Sequence, residues 1–492
     1  MTDPAASTSR FAVPPFDPAD RGLLSPAWAD PAISGVTGDD AIVAAMLELE
    51  ASWAETLEAA GLATAGAGSA VRDAVRQGTT AGTYDGARLA EASQGGGNPV
   101  IPLVKALREA TLEPGKAAVH KGLTSQDVLD SALMLIAKRA VAGILADLSP
   151  AAEALATLAD RYRSTPQVAR TLTQHSLPSS FGLKAANWLQ GVAHAESRLA
   201  SLGFPVQCGG AAGTNASLVA LGGEPAALAA DWAERCGLDA AVAPWQSFRG
   251  PVTDLGHALA SVTAAAGHVA NDVMLLARPE IAELGEPLAE GRGGSSAMPQ
   301  KQNPALSALI RSAALQAPAQ TMQLEMAAAL SEDERTGGAW HSEWASLREL
   351  LRLAGGAATS LRELVEGLRV FPDRMRRNLD LTGPLLVSER LMLELSPEAE
   401  GGRSGVQRAV DAALQAGSDP ADQARVLRKE LRAVVRSDGA EEDFDARLDE
   451  LLDPAGYQGD AAGIVDRILK TYEETAAERR HDPQRKKGTR QT

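Results

Sequence analysis

Two long segments of the chain place hydrophobic residues at alternating spacings of three and four. They cover residues 252–276 and 347–368, and this spacing is typical of helices that pack along their length in a bundle. A helix over the first segment alone is about 37 Å long, at about 1.5 Å per residue. A shorter series over residues 42–57 predicts another helix that ends at Gly61. We therefore predict an all-α fold with a central bundle of long helices.

Polar residues that precede apolar runs mark further helix starts. Residues 124–127, Thr-Ser-Gln-Asp, form a capping-box pattern that opens a helix. Ser149 followed by Pro150 predicts the start of another helix, because proline fits the first helical turn. In the same way, Asn303 is a predicted N-cap and Pro304 a first-turn residue. Each such helix begins with backbone N–H groups that have no partner within the helix.

The composition supports a soluble helical protein. Of the 492 residues, 45% are hydrophobic but only 4% aromatic, which favours helix over sheet. The net charge of −16 excludes general binding of nucleic acid or anionic membranes, so an anionic substrate needs a local basic pocket. The sequence shows no run that reaches a membrane span and no signal-peptide core, so we expect a cytoplasmic protein. Cys208 and Cys236 are too few for a disulfide framework.

A chain of this length exceeds one usual domain. We expect an N-terminal helical domain over residues 1–115, the long-helix bundle over 116–370, and a C-terminal helical domain over 371–492. The charged tail from residue 474 onward is expected to be a disordered end rather than a binding arm.

The loop at residues 291–304 combines glycines, two hydroxyls, a cation and an amide before a predicted helix. Free N–H groups at the start of that helix are expected to lie beside Lys301, and together they favour negative charge. Glycine lets a backbone close over a ligand, so residues 286–303 form a candidate lid. A solvated Gly/Ser linker is the alternative. The loop is not a P-loop, because the sequence lacks the GxxxxGK[ST] spacing.

Residues 120–127 place a histidine and two hydroxyls at a helix N-terminus, where N–H groups can bind a carboxylate. Read alone, Thr124 and Ser125 are more simply explained as helix-cap residues. Arg335 can donate two parallel N–H bonds to a carboxylate. The alternative for Arg335 is a surface ion pair with one of the acidic residues just before it.

These segments together resemble the fumarase/aspartase superfamily of lyases. Residues 294–304 resemble its GSSxMPxKxNP signature, residues 120–127 its first region H-x-G-x-T-S-x-D, and residues 170–174 its second region R-T-H-x-Q. Residues 97–104 and 333–344 resemble segments of its cycloisomerase branch. The similarity extends over about residues 23–393.

The resemblance implies roles for particular residues. Ser295 is the base that removes a proton from the carbon beside a carboxylate, and Lys301 and Asn303 hold the resulting anion. The residues implied in substrate binding are Asn98, His120, Thr124, Ser125, Arg170, Thr171, Gln174, Ser296 and Arg335. The resemblance implies no cofactor and no metal, and its substrates are small dicarboxylates or tricarboxylates. It also implies three domains and a homotetramer, in which four subunits pool their central helices and each site draws on three subunits.

The acid pair of the lyases is replaced in this chain. Leu172 stands where the second region has histidine, and Ala308 stands where the glutamate partner of that histidine lies. An amine or hydroxide needs a proton donor to leave, whereas a carboxylate, whose conjugate acid has a pKa of about 4, needs none. His175 is not expected to supply the proton because, as the residue after Gln174, its side chain should point elsewhere.

Loss of the acid pair favours the cycloisomerase branch of the superfamily. The expected function is lactonisation of 3-carboxy-cis,cis-muconate to 4-carboxymuconolactone, a step of the protocatechuate branch of the β-ketoadipate pathway. An adenylosuccinate-type lyase that releases fumarate is one alternative. A non-catalytic helical scaffold is the other, and the intact Ser295, Lys301 and Asn303 argue against it.

Overall fold

The computed structural model describes residues 22–28, 31–294, 297–435 and 441–481. The α-helices in these residues are α1 (Pro31–Thr37), α2 (Asp39–Ala59), α3 (Ala67–Thr80), α4 (Gly86–Ser93), α5 (Val100–Ala110), α6 (Ser125–Arg161), α7 (Phe181–Ala200), α8 (Ala216–Ala220), α9 (Pro225–Cys236), α10 (Gly250–Leu276), α11 (Ala305–Ala329), α12 (Ala339–Glu366), α13 (Pro372–Asp380), α14 (Ser388–Glu394), α15 (Arg403–Gln415), α16 (Pro420–Val434), α17 (Glu441–Leu452) and α18 (Ala461–His481). Short 3-10 helices cover Pro26–Trp28, Gly115–Ala117, Gly210–Ala212, Gly383–Val387 and Pro454–Gly456.

Strands are short and few in the described residues. β1 (Pro166–Thr171) pairs antiparallel with β2 (Gln174–Ser180), and β3 (Leu284–Gly285) pairs antiparallel with β4 (Arg369–Val370). The prediction of an all-α protein is confirmed in its main feature, since the strands in the described part of the chain form two small two-stranded sheets.

The chain divides into two compact units. The first contains the described residues up to 138 together with 204–248 and 333–335. The second contains 139–203, 249–332 and the described residues from 336 onward. The three-domain division drawn from the sequence stays a prediction.

The first unit has its core around α2, which packs against α3 and α9. Met46, Leu49, Trp53 and Leu57 of the predicted apolar face are all buried. The rings of Trp53 and Trp232 meet edge to face with centroids 5.1 Å apart, a geometry favoured by the charge distribution of aromatic rings. The helix predicted to end at Gly61 ends at Ala59.

The second unit is built on the predicted long helices. α10 packs against α7, α11 and α12, and α11 packs against α12. The first hydrophobic series is buried on α10 and consists of Val252, Leu255, Leu259, Val262, Ala266, Val269, Val273 and Leu276. The second series lies on α12, apart from its last member, Leu368, which follows the end of the helix. The helices approach closely: a Cβ on Gly256 would lie 2.7 Å from Leu324 Cδ1, and one on Gly267 would lie 2.6 Å from Ala314 Cβ.

Three local predictions are wrong. Pro150 does not start a helix but lies inside α6, which runs without a break from Ser125 to Arg161. Asn303 is not an N-cap, because α11 begins at Ala305 with Pro304 in the cap position and no side-chain cap bond. Residues 474–481 of the expected disordered tail continue α18, and the rest of the tail lies outside the described residues.

One helix of the described residues, α10, is long and apolar enough to cross a membrane by length and composition. The sequence had predicted no such segment. Half of an apolar 18-residue stretch of this helix is buried inside the structure. The apolar series of the helix faces the neighbouring helices. Core helices of soluble proteins pass the same test, so the helix is explained by its place in the bundle.

Candidate active site

The His120 segment is held by a buried carboxylate that the sequence reasoning did not assign. Glu50, on α2, is fully buried. It accepts a hydrogen bond from the His120 backbone N–H at 2.9 Å, and its Oε1 lies 2.6 Å from His120 Nδ1. Because Nδ1 is taken up by Glu50, Nε2 is the ring nitrogen that remains for a ligand. A carboxyl residue on the apolar face of a predicted helix was the signal available for Glu50.

Thr124 and Arg335 lie together, although 211 positions separate them in the chain. The Arg335 guanidinium donates to Thr124 Oγ1, which replaces the surface ion pair considered from the sequence. The capping box is half formed: Asp127 Oδ2 accepts from the Thr124 N–H at 2.9 Å. The Thr124 hydroxyl faces Arg335, and Ser125 opens α6. The structure therefore brings four predicted site residues, with His120 among them, into one part of the first unit.

Asp127 holds the His120 segment in place through hydrogen bonds from backbone N–H groups. Its carboxylate is fully buried and also accepts from the backbone N–H groups of Gly209 and Gly210, at 2.9 and 3.0 Å. Burial raises the pKa of Asp127 to about 7, although the backbone N–H bonds and the charge of His120 act in the opposite direction. The sequence predicts Asp127 only as part of the capping box at residues 124–127.

The Asn98 side chain forms its hydrogen bonds within its own loop. Its side-chain oxygen accepts from the Val100 N–H at 3.1 Å and its amide donates to the Gly96 carbonyl at 3.3 Å. The side chain is 8% exposed. In this structure Asn98 therefore shapes the start of α5, and its predicted contact with substrate stays a prediction.

The second motif lies on the β1–β2 hairpin of the second unit. Arg170 donates to both oxygens of Glu283, at 2.7 and 3.3 Å, and Glu283 is fully buried. Thr171 pairs with Gln174 across the end of the hairpin, and both are exposed. Arg170 is thus committed to a structural ion pair rather than left for a substrate carboxylate.

Leu172 occupies the tip of this hairpin with a positive φ of 48°, and it is 96% exposed. His175 points away from the tip and its Nδ1 lies 2.8 Å from Thr382 Oγ1, in agreement with the expected orientation. Burial, and next the charge of Arg170, lowers the pKa of His175. A weakly basic, half-buried histidine is a poor replacement for the missing acid.

The signature loop, which we define as residues 286–303, is described except for Ser295 and Ser296, which lie outside the described residues. The flanks of that gap are joined: Gly294 bridges to Gln302, and the Asn303 N–H donates to the Gly293 carbonyl at 2.8 Å. Lys301 and Asn303 are exposed. The predicted catalytic side chains of the described part therefore face outward from a loop closed at its base.

The prediction that free N–H groups at the start of α11 form an anion site is wrong. Glu286 accepts from the backbone N–H groups of Leu306 and Ser307, at 3.1 and 2.7 Å. Its carboxylate therefore already occupies the positive end of the helix. Arg369 donates from Nε to the Glu286 carbonyl at 2.8 Å and from Nη2 to Gln302 Oε1 at 3.2 Å, which ties the loop to β4.

Within the described ranges, no group of three or more His, Cys, Asp or Glu side chains is arranged to hold a metal. The acids nearest the predicted site residues are instead used in hydrogen bonds to histidine, arginine and backbone N–H groups.

Comparison with known proteins identifies the family. A family model described as a lyase matches residues 28–319. The chain belongs to the fumarase/aspartase superfamily of lyases. The nitrosuccinate lyase of Streptomyces davaonensis is 44% identical to it over 463 residues, which cover 92% of this chain and 94% of that protein. The 3-carboxy-cis,cis-muconate cycloisomerase of Bradyrhizobium diazoefficiens is 37% identical, over 92% of this chain and 98% of that protein.

Among solved structures, the 3-carboxy-cis,cis-muconate lactonizing enzyme of Pseudomonas putida superposes on this lyase with a TM-score of 0.81. It is 33% identical in sequence, and the match covers 92% of this chain and 99% of that one. This superfamily member is therefore an enzyme of the lyase and cycloisomerase type, and a non-catalytic scaffold is excluded.

Proposed function

We propose that this enzyme forms or breaks a bond to a leaving group that departs as an anion, beside a carbon activated by a carboxylate. The first candidate reaction is cycloisomerisation of 3-carboxy-cis,cis-muconate to 4-carboxymuconolactone. The observation that carries the proposal is the absence of the acid pair: Leu172 is 96% exposed at a hairpin tip and Ala308 is an exposed residue of α11. Neither side chain can donate a proton.

The leaving group decides which chemistry such a site can support. In lactone opening, a base removes the proton beside the carboxylate, a dianionic intermediate forms, and the C–O bond then breaks to release a carboxylate. That carboxylate is stable without protonation, because its conjugate acid has a pKa of about 4. Cyclisation follows the same path in reverse. An amine leaves only when protonated, so adenylosuccinate-type cleavage is the disfavoured alternative.

We assign Ser295 as the base and Lys301 and Asn303 as the groups that stabilise the dianion, by their match to the superfamily signature. His120, Thr124, Ser125 and Arg335 are assigned to binding of the substrate carboxylates, and their clustering supports this assignment. Asn98, Thr171, Gln174 and Ser296 remain proposed contacts. Arg170 is proposed only to position the hairpin through Glu283.

Release of nitrite from nitrosuccinate is the second candidate. The 44% identity to a nitrosuccinate lyase favours it. Elimination from nitrosuccinate would leave fumarate, and nitrite, like a carboxylate, is the anion of an acid strong enough to depart unprotonated. The same missing acid pair therefore fits both candidate reactions.

One panel of purified substrates separates these reactions. Loss of the conjugated-diene absorbance of 3-carboxy-cis,cis-muconate reports lactonisation, and a colorimetric nitrite assay reports nitrosuccinate cleavage. Adenylosuccinate and argininosuccinate, followed by fumarate absorbance, test release of an amine. We expect turnover of the muconate. Turnover of nitrosuccinate alone selects the second candidate, and efficient release of fumarate from either succinyl amine contradicts the whole proposal.

Two substitutions test the assignment of the base. Ser295→Ala should lower kcat on the accepted substrate by about 10²-fold or more, as expected for loss of a catalytic base. His175→Ala removes the side chain of the residue that pairs with Arg170 across the hairpin and leaves residues 286–303 unchanged. It should leave kcat within about twofold of the parent. Loss of activity in the His175 variant with an intact fold would instead identify His175 as the missing acid.

We further propose a cytoplasmic homotetramer that needs no cofactor and does not bind nucleic acid or membranes. An apolar stripe on α11 supports self-association, since its members are exposed at helical spacing and have 49% to 72% of their surface open. The stripe consists of Leu315, Met322 and Met326, and Leu330 continues it. In the proposed assembly, this stripe packs against other copies.

A further inference from the structure

A cavity of about 400 Å³ lies in the first unit and shares His120 and Ser125 with the proposed substrate site. Its apolar wall comes from α5 and consists of Val100, Ile101 and Val104. A volume of this size suits a small organic acid. The remaining lining is charged and was not singled out from the sequence.

Three cations line this cavity: Lys105 and Arg108 on α5, and Lys116 in the 3-10 helix that follows. Glu109 is the one acid among the lining residues. The lining thus has an excess of two positive charges in a chain whose net charge is −16. Within the described ranges, no acidic side chain is paired with Lys105 or Lys116.

The cations are placed beside His120 by the local structure. Arg108 donates from Nη2 to the Val119 carbonyl at 2.9 Å, so its guanidinium is fixed next to the residue that precedes His120. Lys105 lies one turn before Arg108 on the same helix. His120 is itself fixed by Glu50. A carboxylate bound at His120 and Ser125 therefore lies at the edge of a positively charged cavity.

We propose that this cavity binds a substrate carboxylate that takes no part in the bond change, and that Lys105 and Lys116 select tricarboxylates over dicarboxylates. The inference rests on the proposed function in one respect, that the substrate carries carboxylates near His120. Ammonium groups with no acidic partner attract a third carboxylate, whereas the apolar wall packs against the carbon chain. Glu109 opposes this attraction.

Binding of non-reacting acids tests the proposal without turnover. Tricarballylate and glutarate, a tricarboxylate and a dicarboxylate, are titrated into the full-length protein by calorimetry, at a pH where all carboxylates are ionised. The parent should bind tricarballylate more tightly than glutarate. Lys105→Gln and Lys116→Gln should each weaken tricarballylate binding by about threefold to fivefold, with a much smaller effect on glutarate.

Two further variants make the result specific. Glu109→Gln should tighten tricarballylate binding, because it removes the only negative charge of the lining. Lys429→Gln carries the same charge change at an ammonium-bearing side chain that is 81% exposed on α16, and it should change neither affinity. With an accepted tricarboxylate substrate, the two cavity lysine variants should raise KM and leave kcat unchanged.

Equal losses for both acids, or no loss in either lysine variant, would overturn the proposal. A parent that binds both acids equally would do the same. If the selectivity is found but 3-carboxy-cis,cis-muconate is not turned over, the proposed reaction fails and the tricarboxylate cavity stands, so the two failures are distinguishable.

Discussion

At the residue scale, buried glutamates organise the candidate site. Glu50 fixes His120, Glu283 fixes Arg170, and Glu286 occupies the N–H groups at the start of α11. A carboxylate can accept several hydrogen bonds, so each of these glutamates holds its partner in a single orientation. Two of the groups expected to bind substrate anions, Arg170 and the α11 terminus, are already neutralised by the protein itself.

The buried Asp127 predicts how stability depends on pH. Its pKa is raised by burial to about 7 in the folded protein, against about 3.9 in an unfolded chain. The folded state binds the proton more tightly, so this contribution to stability is complete below about pH 4 and is lost as the pH rises towards 7. Thermal unfolding should therefore show a fall in Tm across this window that Asp127→Asn reduces.

The Asp127→Asn variant should also be less stable overall by about 1–2 kcal/mol, because an amide can accept fewer of the three backbone N–H bonds. Asp73→Asn is the control, since the side chain of Asp73 is 56% exposed, and it should keep the parental pH dependence. An unchanged pH dependence in the Asp127 variant would contradict the raised pKa.

Gly293 predicts a sharp effect on the signature loop. It has a φ of 64°, and a Cβ there would lie 2.4 Å from the Asn303 carbonyl oxygen. Gly293→Ala should therefore displace Asn303 and lower kcat by about tenfold or more. Gly294→Ala is a matched control, because a Cβ at Gly294 meets nothing within 4 Å and its φ is not positive. Equal kcat values for the two variants would show that the loop base does not position the catalytic groups.

At the element scale, the β1–β2 hairpin ends in a two-residue turn that its sequence does not favour. Leu172 and Thr173 both have positive φ, 48° and 72°. This is the conformation of a type I′ turn, for which Asn-Gly is the preferred sequence. Backbone strain of this kind is typical of functional sites, and the tip lies within residues 170–174 of the second region.

Replacing Leu172 and Thr173 by Asn and Gly should raise the free energy of unfolding by about 1 kcal/mol, because the new residues adopt positive φ at lower cost. Chemical denaturation measures the change. Val242→Asn is the control: Val242 is fully exposed but has no positive φ, so asparagine should bring no gain there. A destabilised hairpin variant would contradict the turn assignment.

The long helices could be predicted from the sequence because burial on one face leaves a spacing of three and four, as on α10 and α12. The prediction of a helix start at Pro150 is wrong, because proline is usual in a first turn but here lies within α6, where the packing of the helix outweighs the lost backbone bond. The sequence of the β1–β2 hairpin lacks the alternation of apolar and polar residues that predicts strands. The partners of His120 and Arg170 are 70 and 113 positions away, and no local pattern contains such distances.

At the scale of the whole molecule, the exposed stripe on α11 and the separation of the motifs along the chain predict composite sites in a tetramer. Ser295→Ala and Thr124→Ala should each be nearly inactive as pure proteins. Subunit exchange between them should restore part of the activity, because some sites then contain only intact segments. Light scattering checks the assembly, and an active monomer would contradict it.

The matched control for this exchange combines two variants of one segment. Ser295→Ala mixed with Lys301→Ala should stay inactive, since both substitutions fall in the signature loop. Every loop in the mixture carries one substitution or the other, so every site remains defective. Restoration in this mixture would show that recovery comes from something other than shared sites.

The close approach of α10 to α11 at Gly256 and Gly267 limits which substitutions the sequence of such a protein can accept. A single added methyl group at either glycine would meet Leu324 or Ala314 at under 3 Å, so the distance between α10 and α11 leaves almost no tolerance for drift in residue size at these crossings. Gly294 has no comparable limit, because a Cβ there would meet nothing within 4 Å. Random mutagenesis with selection for folding should therefore deplete larger residues at the two glycines, while new substrate preferences accumulate in the loops of an unchanged helical frame.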